Sequence, residues 1–292
     1  MKIKRLLFVT KFEELGFAAL QSLLRLRSCS LEHVVFLYVI EREKVALQRG
    51  VGFNKEEQVR LKEAANIRFI DWAERLFETG MEVGVYIQVG SLTAEVVNAT
   101  RKEEADLVVI GRTHKSALEQ FYSGSTVTEL IRRLSVPVLV YKPVAEGPSA
   151  PAKPFERPLL ATDWSPASLR AMSYLTDMKR IIQEIQVVHV VAEKQIEGSS
   201  VMQAQKTHRE AKTKLAEICA SFRAEGISAR SQVYVGDAAQ QIEKAAQDCQ
   251  ATLIVLGSSS KASWVERFIG STPRAIAEGS AFPTLLIPPE KP

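Results

Sequence analysis

At 292 residues, with 46% apolar side chains, 25% charged side chains and a net charge of +4, the chain has a globular make-up and room for two domains with separate cores. The charge is mild and no Lys/Arg run forms a polybasic patch, which argues against nucleic acid; no stretch reaches transmembrane length, which argues against a membrane. Cys29, Cys219 and Cys249 are odd in number and far apart, so they read as buried or free thiols in a reducing cytoplasm. The first ten residues are charged and then apolar, but the apolar run is too short for a signal peptide and lacks a small-residue cleavage site.

Residues 3–10 read as a first strand, with Leu6, Leu7, Phe8 and Val9 all apolar. A helix is expected from about Phe12, with Leu15, Ala19, Leu23 and Leu26 on one face, and a second apolar strand over 33–40. Two continuous apolar strands around a helix indicate a βαβ unit and a buried parallel sheet. A long helix over 55–79 places Leu61, Ala65, Phe69, Trp72 and Leu76 on one stripe, so the two aromatics read as core. Strands follow at 83–89, 106–110 and 136–141, with a helix over 93–102 and another opened by a capping box, Thr126-x-x-Glu129.

Residues 142–158 hold five prolines and read as a stiff linker, which sets domains at 1–142 and 157–292 with 143–156 between them. The order then repeats. A strand over 159–162 leads to Asp163, with Ser165 as N-cap and Pro166 at the first helical position. Strands at 185–191, 227–235 and 253–256 alternate with helices at 201–223 and 238–247. The expected fold is α/β, two tandem doubly wound, five-stranded, parallel-sheet domains of Rossmann-like kind.

The most informative repeat is a loop. Gly257 to Thr272 follows a buried strand and ends in Gly270-Ser271-Thr272, just before Pro273 and a helix. Glycine lets backbone approach a ligand, and the first turn of a helix offers free N–H groups and a positive dipole end. That suits an anion, most simply phosphate. The same pattern occurs 146 residues earlier, from Gly111 to Gly124-Ser125-Thr126, and in both copies the two glycines stand thirteen apart.

The pattern Gly, two residues, Gly, nine residues, Gly, Ser/Thr resembles the nucleotide loop of the universal stress protein family, and the likeness spans nearly the whole chain. Both copies depart at the middle glycine, where His114 and Ser260 stand. The resemblance implies an adenine nucleotide, ATP or AMP, bound chiefly in the second domain by Ala161, Thr162, Asp163, Val190, Gly257, Ser260, Gly270, Ser271 and Thr272. It places Asp163 near ribose and base, and the Val190 backbone against adenine. Asp163 as a mere shaper of its turn is the alternative, and His189 reads as a satisfied core histidine. In the first domain Lys11 stands where Asp163 does and cannot accept a hydrogen bond, so Gly111, His114, Gly124, Ser125 and Thr126 form the weaker site.

No catalytic residue and no metal ligand set is expected. There is no Walker-type phosphate loop and no nucleophile elbow, and His33, His114, His189 and His208 lie on separate elements. Asp163 could help hold a magnesium ion beside ATP phosphates. The expected role is stress-response sensing or regulation, in the cytoplasm, through an unidentified protein partner. The rivals are an interaction module without nucleotide and a slow ATPase. The last strands, 136–141 and 282–286, are apolar edges expected to pair within the chain, and a homodimer is expected.

Overall fold

The computed structural model describes residues 2–12, 15–42, 54–111, 120–142, 153–193, 200–258 and 270–289; for 120–126 only the backbone is described. The chain divides into two compact units, Lys2–Pro143 and Val144–Pro292.

In the first unit the order is β1 (Arg5–Val9), α1 (Phe17–Leu23) continued by a 3-10 turn (Leu24–Cys29), β2 (His33–Glu41), α2 (Lys55–Phe77), β3 (Glu82–Gly90), α3 (Leu92–Lys102), β4 (Leu107–Gly111), α4 (Gln120–Arg133) and β5 (Val138–Tyr141). The strands are parallel and run β3-β2-β1-β4-β5 across the sheet. The second unit repeats this as β6 (Pro158–Ala161), α5 (Pro166–Asp177), β7 (Glu184–Val191), α6 (Val201–Ala224), β8 (Ser228–Val235), α7 (Ala238–Asp248), β9 (Leu253–Gly257), α8 (Ser271–Gly279) and β10 (Thr284–Ile287). Its order is β10-β9-β6-β7-β8, again parallel. In each unit the order grows outward in both directions from the first strand, so each sheet is doubly wound.

The central strands are apolar throughout because helices cover both faces. Leu6, Leu7, Phe8, Leu159 and Leu160 are fully buried. Each such side chain contributes about 1.5–3 kcal/mol of hydrophobic stabilisation. Helix α2 forms where expected, capped by Asn54, whose side-chain oxygen accepts from the Glu57 N–H at 3.0 Å. It buries Ala65, Phe69, Trp72 and Leu76, and the Phe69 ring stacks on Phe36 at 5.2 Å between centroids. Leu61 is half-buried. Ser165, Ser200 and Asp237 cap α5, α6 and α7 by the same side-chain mechanism.

Two helix starts differ from expectation. Helix α1 begins at Phe17, because Phe12 takes φ +64°, a left-handed conformation no α-helix continues through. Helix α4 begins at Gln120, so Thr126 lies inside it and opens nothing. Among the described residues no helix is long and apolar enough to cross a membrane. None of the three cysteines is in a disulfide; burial pushes the Cys249 thiol up, which keeps it protonated and slow to react.

Candidate functional site

A parallel sheet starts every crossover helix at its carboxyl edge, and a ligand crevice opens there where the strand order reverses. In the second unit that point lies between β6 and β9. Ala161 pairs with Leu256 on one side and Val188 on the other. The register therefore brings together the ends of three strands, carrying Ala161-Thr162-Asp163, His189-Val190 and Gly257-Ser258. Helix α8 starts at the same edge.

The end of β6 is a tightly bonded turn. Thr162 is buried, and its N–H donates to the Val188 carbonyl at 2.9 Å. Its hydroxyl accepts from the Trp164 N–H at 3.1 Å and lies 3.1 Å from the Ser168 hydroxyl, which donates to the Ser165 carbonyl at 2.9 Å. The Asp163 Oδ1 accepts from the Ser165 N–H at 3.0 Å. Trp164 takes φ +64°. For a bulky side chain that conformation costs about 1–2 kcal/mol, so the surroundings must hold it. They do so with those bonds and with a tilted ring contact to His189, 4.8 Å between centroids. The His189 Nδ1 lies 2.8 Å from the Thr162 carbonyl, so that nitrogen carries the proton and donates. His189 is half-buried and hydrogen-bonded, as the sequence suggested, though it lies at the cleft edge of the strand.

Along β7 the backbone alternates between neighbours. The Val188 carbonyl serves Thr162 on the β6 side, whereas the Val191 carbonyl accepts from Gly236 after β8 at 3.0 Å. The Val190 N–H and carbonyl therefore turn to the β6 side, beyond the point where β6 has ended. That is a donor and an acceptor on one residue, fixed in direction, a pattern that can pair with an adenine edge.

Gly257 has a packing role that the sequence did not reveal. A Cβ placed there would stand 2.6 Å from the Ser168 nitrogen and 2.7 Å from the Ala167 carbonyl carbon. The end of β9 thus runs hard against the first turn of α5. Gly270 is the N-cap of α8, with φ −58° and ψ 151° and no side-chain cap, and Ser271 and Thr272 supply the first helical N–H groups. Ser260 lies outside the described residues.

The first unit repeats the turn and changes its cargo. The Thr10 hydroxyl accepts from the Phe12 N–H at 2.7 Å, and Phe12 meets Tyr38 at 5.1 Å. Lys11, in the place of Asp163, is ion-paired with Glu41 at 2.9 Å. Helix α4 carries Gly124, Ser125 and Thr126 within it, so their N–H groups stand past the first turn, unlike those of Ser271 and Thr272. Gly111 ends β4, and His114 lies outside the described residues. The Thr-x-aromatic step recurs at the end of each first strand, Thr10 to Phe12 and Thr162 to Trp164, and nothing local in the sequence marks its left-handed turn.

A family model, the universal stress protein family, matches the sequence twice, over residues 2–142 and 154–288. The chain belongs to the universal stress protein family. Among curated relatives, Universal stress protein MJ0577 of Methanocaldococcus jannaschii is 28% identical over 153 residues, covering 48% of this chain and 94% of that protein. Among solved structures, a universal stress protein from Archaeoglobus fulgidus superposes with a TM-score of 0.75 at 19% identity, covering 99% of this chain and 98% of that one. A second, a universal stress protein candidate from Pseudomonas aeruginosa, gives 0.66 at 19% identity, covering 98% of this chain and 94% of its own. These two likenesses establish the fold, two tandem α/β units.

Proposed function

We propose that the second unit binds an adenine nucleotide, ATP or AMP, and that binding changes the protein's partners or assembly in a stress response. The observation that carries this is the switch point between β6 and β9. It offers the Asp163 carboxylate at one strand end, the outward-turned Val190 backbone beside it, and a helix led by Gly270 on the same edge. Asp163 accepts from ribose hydroxyls, Val190 meets the adenine edge, and the N–H groups of Ser271 and Thr272 meet phosphate. Gly257, the last residue of β9, and Ser260 complete the proposed set. A magnesium ion arriving with ATP would be carried by the phosphates, with Asp163 helping to hold it.

The first unit supports a different reading. The Lys11–Glu41 pair takes the place of the acceptor, and α4 has wound through the Gly124 position. We read it as a structural or interaction unit. Intramolecular pairing of the two units through their last strands, a further homodimer, an unidentified protein partner and a cytoplasmic location belong to the same proposal; three cysteines outside disulfides fit a reducing compartment.

A thermal-shift panel tests it. A ligand that binds only the folded state raises apparent stability by about 2.7 kcal/mol at a hundred times its dissociation constant. ATP or AMP is expected to raise the unfolding temperature of the full chain, with GTP and GMP leaving it in place. Equal shifts with guanine nucleotides would remove the adenine assignment, and no shift with any nucleotide would remove the site.

A further inference from the structure

We propose that Trp164 is a positioning residue for ribose recognition: its clamped left-handed turn aims Asp163. This rests on Asp163 reading the ribose. Three observations lead there. Among the described non-glycine residues with positive φ, only Phe12 and Trp164 are aromatic, and they occupy the same step of the two repeats. Each is held in the same three ways. The N–H is taken by the hydroxyl of a threonine two residues back, Thr10 or Thr162. The ring lies on a ring of the second strand, Tyr38 or His189, at 5.1 and 4.8 Å with nearly equal tilts of 35° and 34°. A cation from the long helix stands over it, Arg68 at 4.9 Å or Lys214 at 5.6 Å.

The residue inside the clamp differs completely. In the first unit it is Lys11, delivered to Glu41 at 2.9 Å. In the second it is Asp163, with Oδ1 bonded to the Ser165 N–H at 3.0 Å. A device that persists while its cargo changes sign is not there for that cargo's own bonds. It fixes the direction in which the strand end presents a charged side chain. With Oδ1 committed, Oδ2 is the oxygen that serves a ribose hydroxyl. His189 completes the clamp from below, because its Nδ1–H holds the Thr162 carbonyl at 2.8 Å.

The test compares affinity for ATP and for 2′,3′-dideoxy-ATP by calorimetry, using the full chain and its Trp164→Phe, Trp164→Ala and His189→Ala variants. The parent is expected to prefer ATP by about tenfold or more, the worth of hydrogen bonds to a charged acceptor. Trp164→Phe keeps the preference. Trp164→Ala brings the ratio close to one, and His189→Ala lowers it in the same direction, so either variant suffices if the other fails to fold. A variant that weakens both ligands equally, leaving the ratio at the parent value, overturns the positioning role while Asp163 still reads ribose. A parent ratio of one overturns the role of Asp163 and this proposal with it.

Discussion

Replacing Gly270 with valine is expected to abolish the nucleotide-induced thermal shift while leaving the unliganded protein folded. Gly270 sits at φ −58° and ψ 151°, a region open to any L-residue, so the backbone accepts valine without strain. As an N-cap, valine costs at most about 1 kcal/mol relative to glycine. On the proposed reading, however, its side chain stands where phosphate would meet the Ser271 and Thr272 N–H groups. Losing two charge-assisted hydrogen bonds at about 1.5 kcal/mol each weakens binding roughly a hundredfold. Circular dichroism and a thermal scan check the fold, and the scan with ATP checks the site. A variant that shifts like the parent would mean that phosphate, if bound, is held elsewhere.

Gly257→Ala is expected to behave in the opposite way, acting first on stability. The added Cβ meets the Ser168 nitrogen at 2.6 Å, the Ala167 carbonyl carbon at 2.7 Å and the Ala167 Cβ at 2.8 Å. Two of these are backbone atoms of the first turn of α5, which cannot rotate away. The strand or the helix must move, at a cost of about 1–3 kcal/mol. That turn is also tied to the cleft, because the Ser168 hydroxyl lies 3.1 Å from that of Thr162. Nucleotide affinity should therefore fall as a secondary effect. Urea unfolding measures the first effect; a midpoint equal to the parent's would show that α5 yields freely and that Gly257 is not required by packing.

The contrast between these two glycines shows what a sequence discloses. Both were recognisable as members of one repeated loop, and both read as places where backbone meets a ligand. Gly257 has in addition a helix packed against it, and that depends on α5, some ninety residues away in the chain. The strands were legible because burial on both faces makes them continuous apolar runs, as with Leu6 to Val9 or Leu253 to Leu256. Helix α2 was legible because its inward residues recur at helical spacing. The start of α1 was not, because the left-handed turn at Phe12 is stabilised by Tyr38 on another strand and Arg68 on another helix. Nor was the reach of α4. Its capping-box residues, Thr126 and Glu129, fit a helix start, yet α4 begins at Gln120.

The difference in charge between the two repeats was visible as Lys11 against Asp163, but its consequence was not. Lys11 need not wait for an anionic ligand, since Glu41 from the end of β2 already neutralises it. An exposed pair of this kind adds little stability. Its effect is on the proposed site, where it fills the corner that Asp163, the proposed ribose acceptor, occupies in the other unit.

The two units thus predict different ligand behaviour within one chain, and a calorimetric titration of the full-length protein with ATP tests that most directly. One saturable equivalent per chain is the expected result, lost in Gly270→Val. Two equivalent sites per chain, or no binding at all, would contradict it.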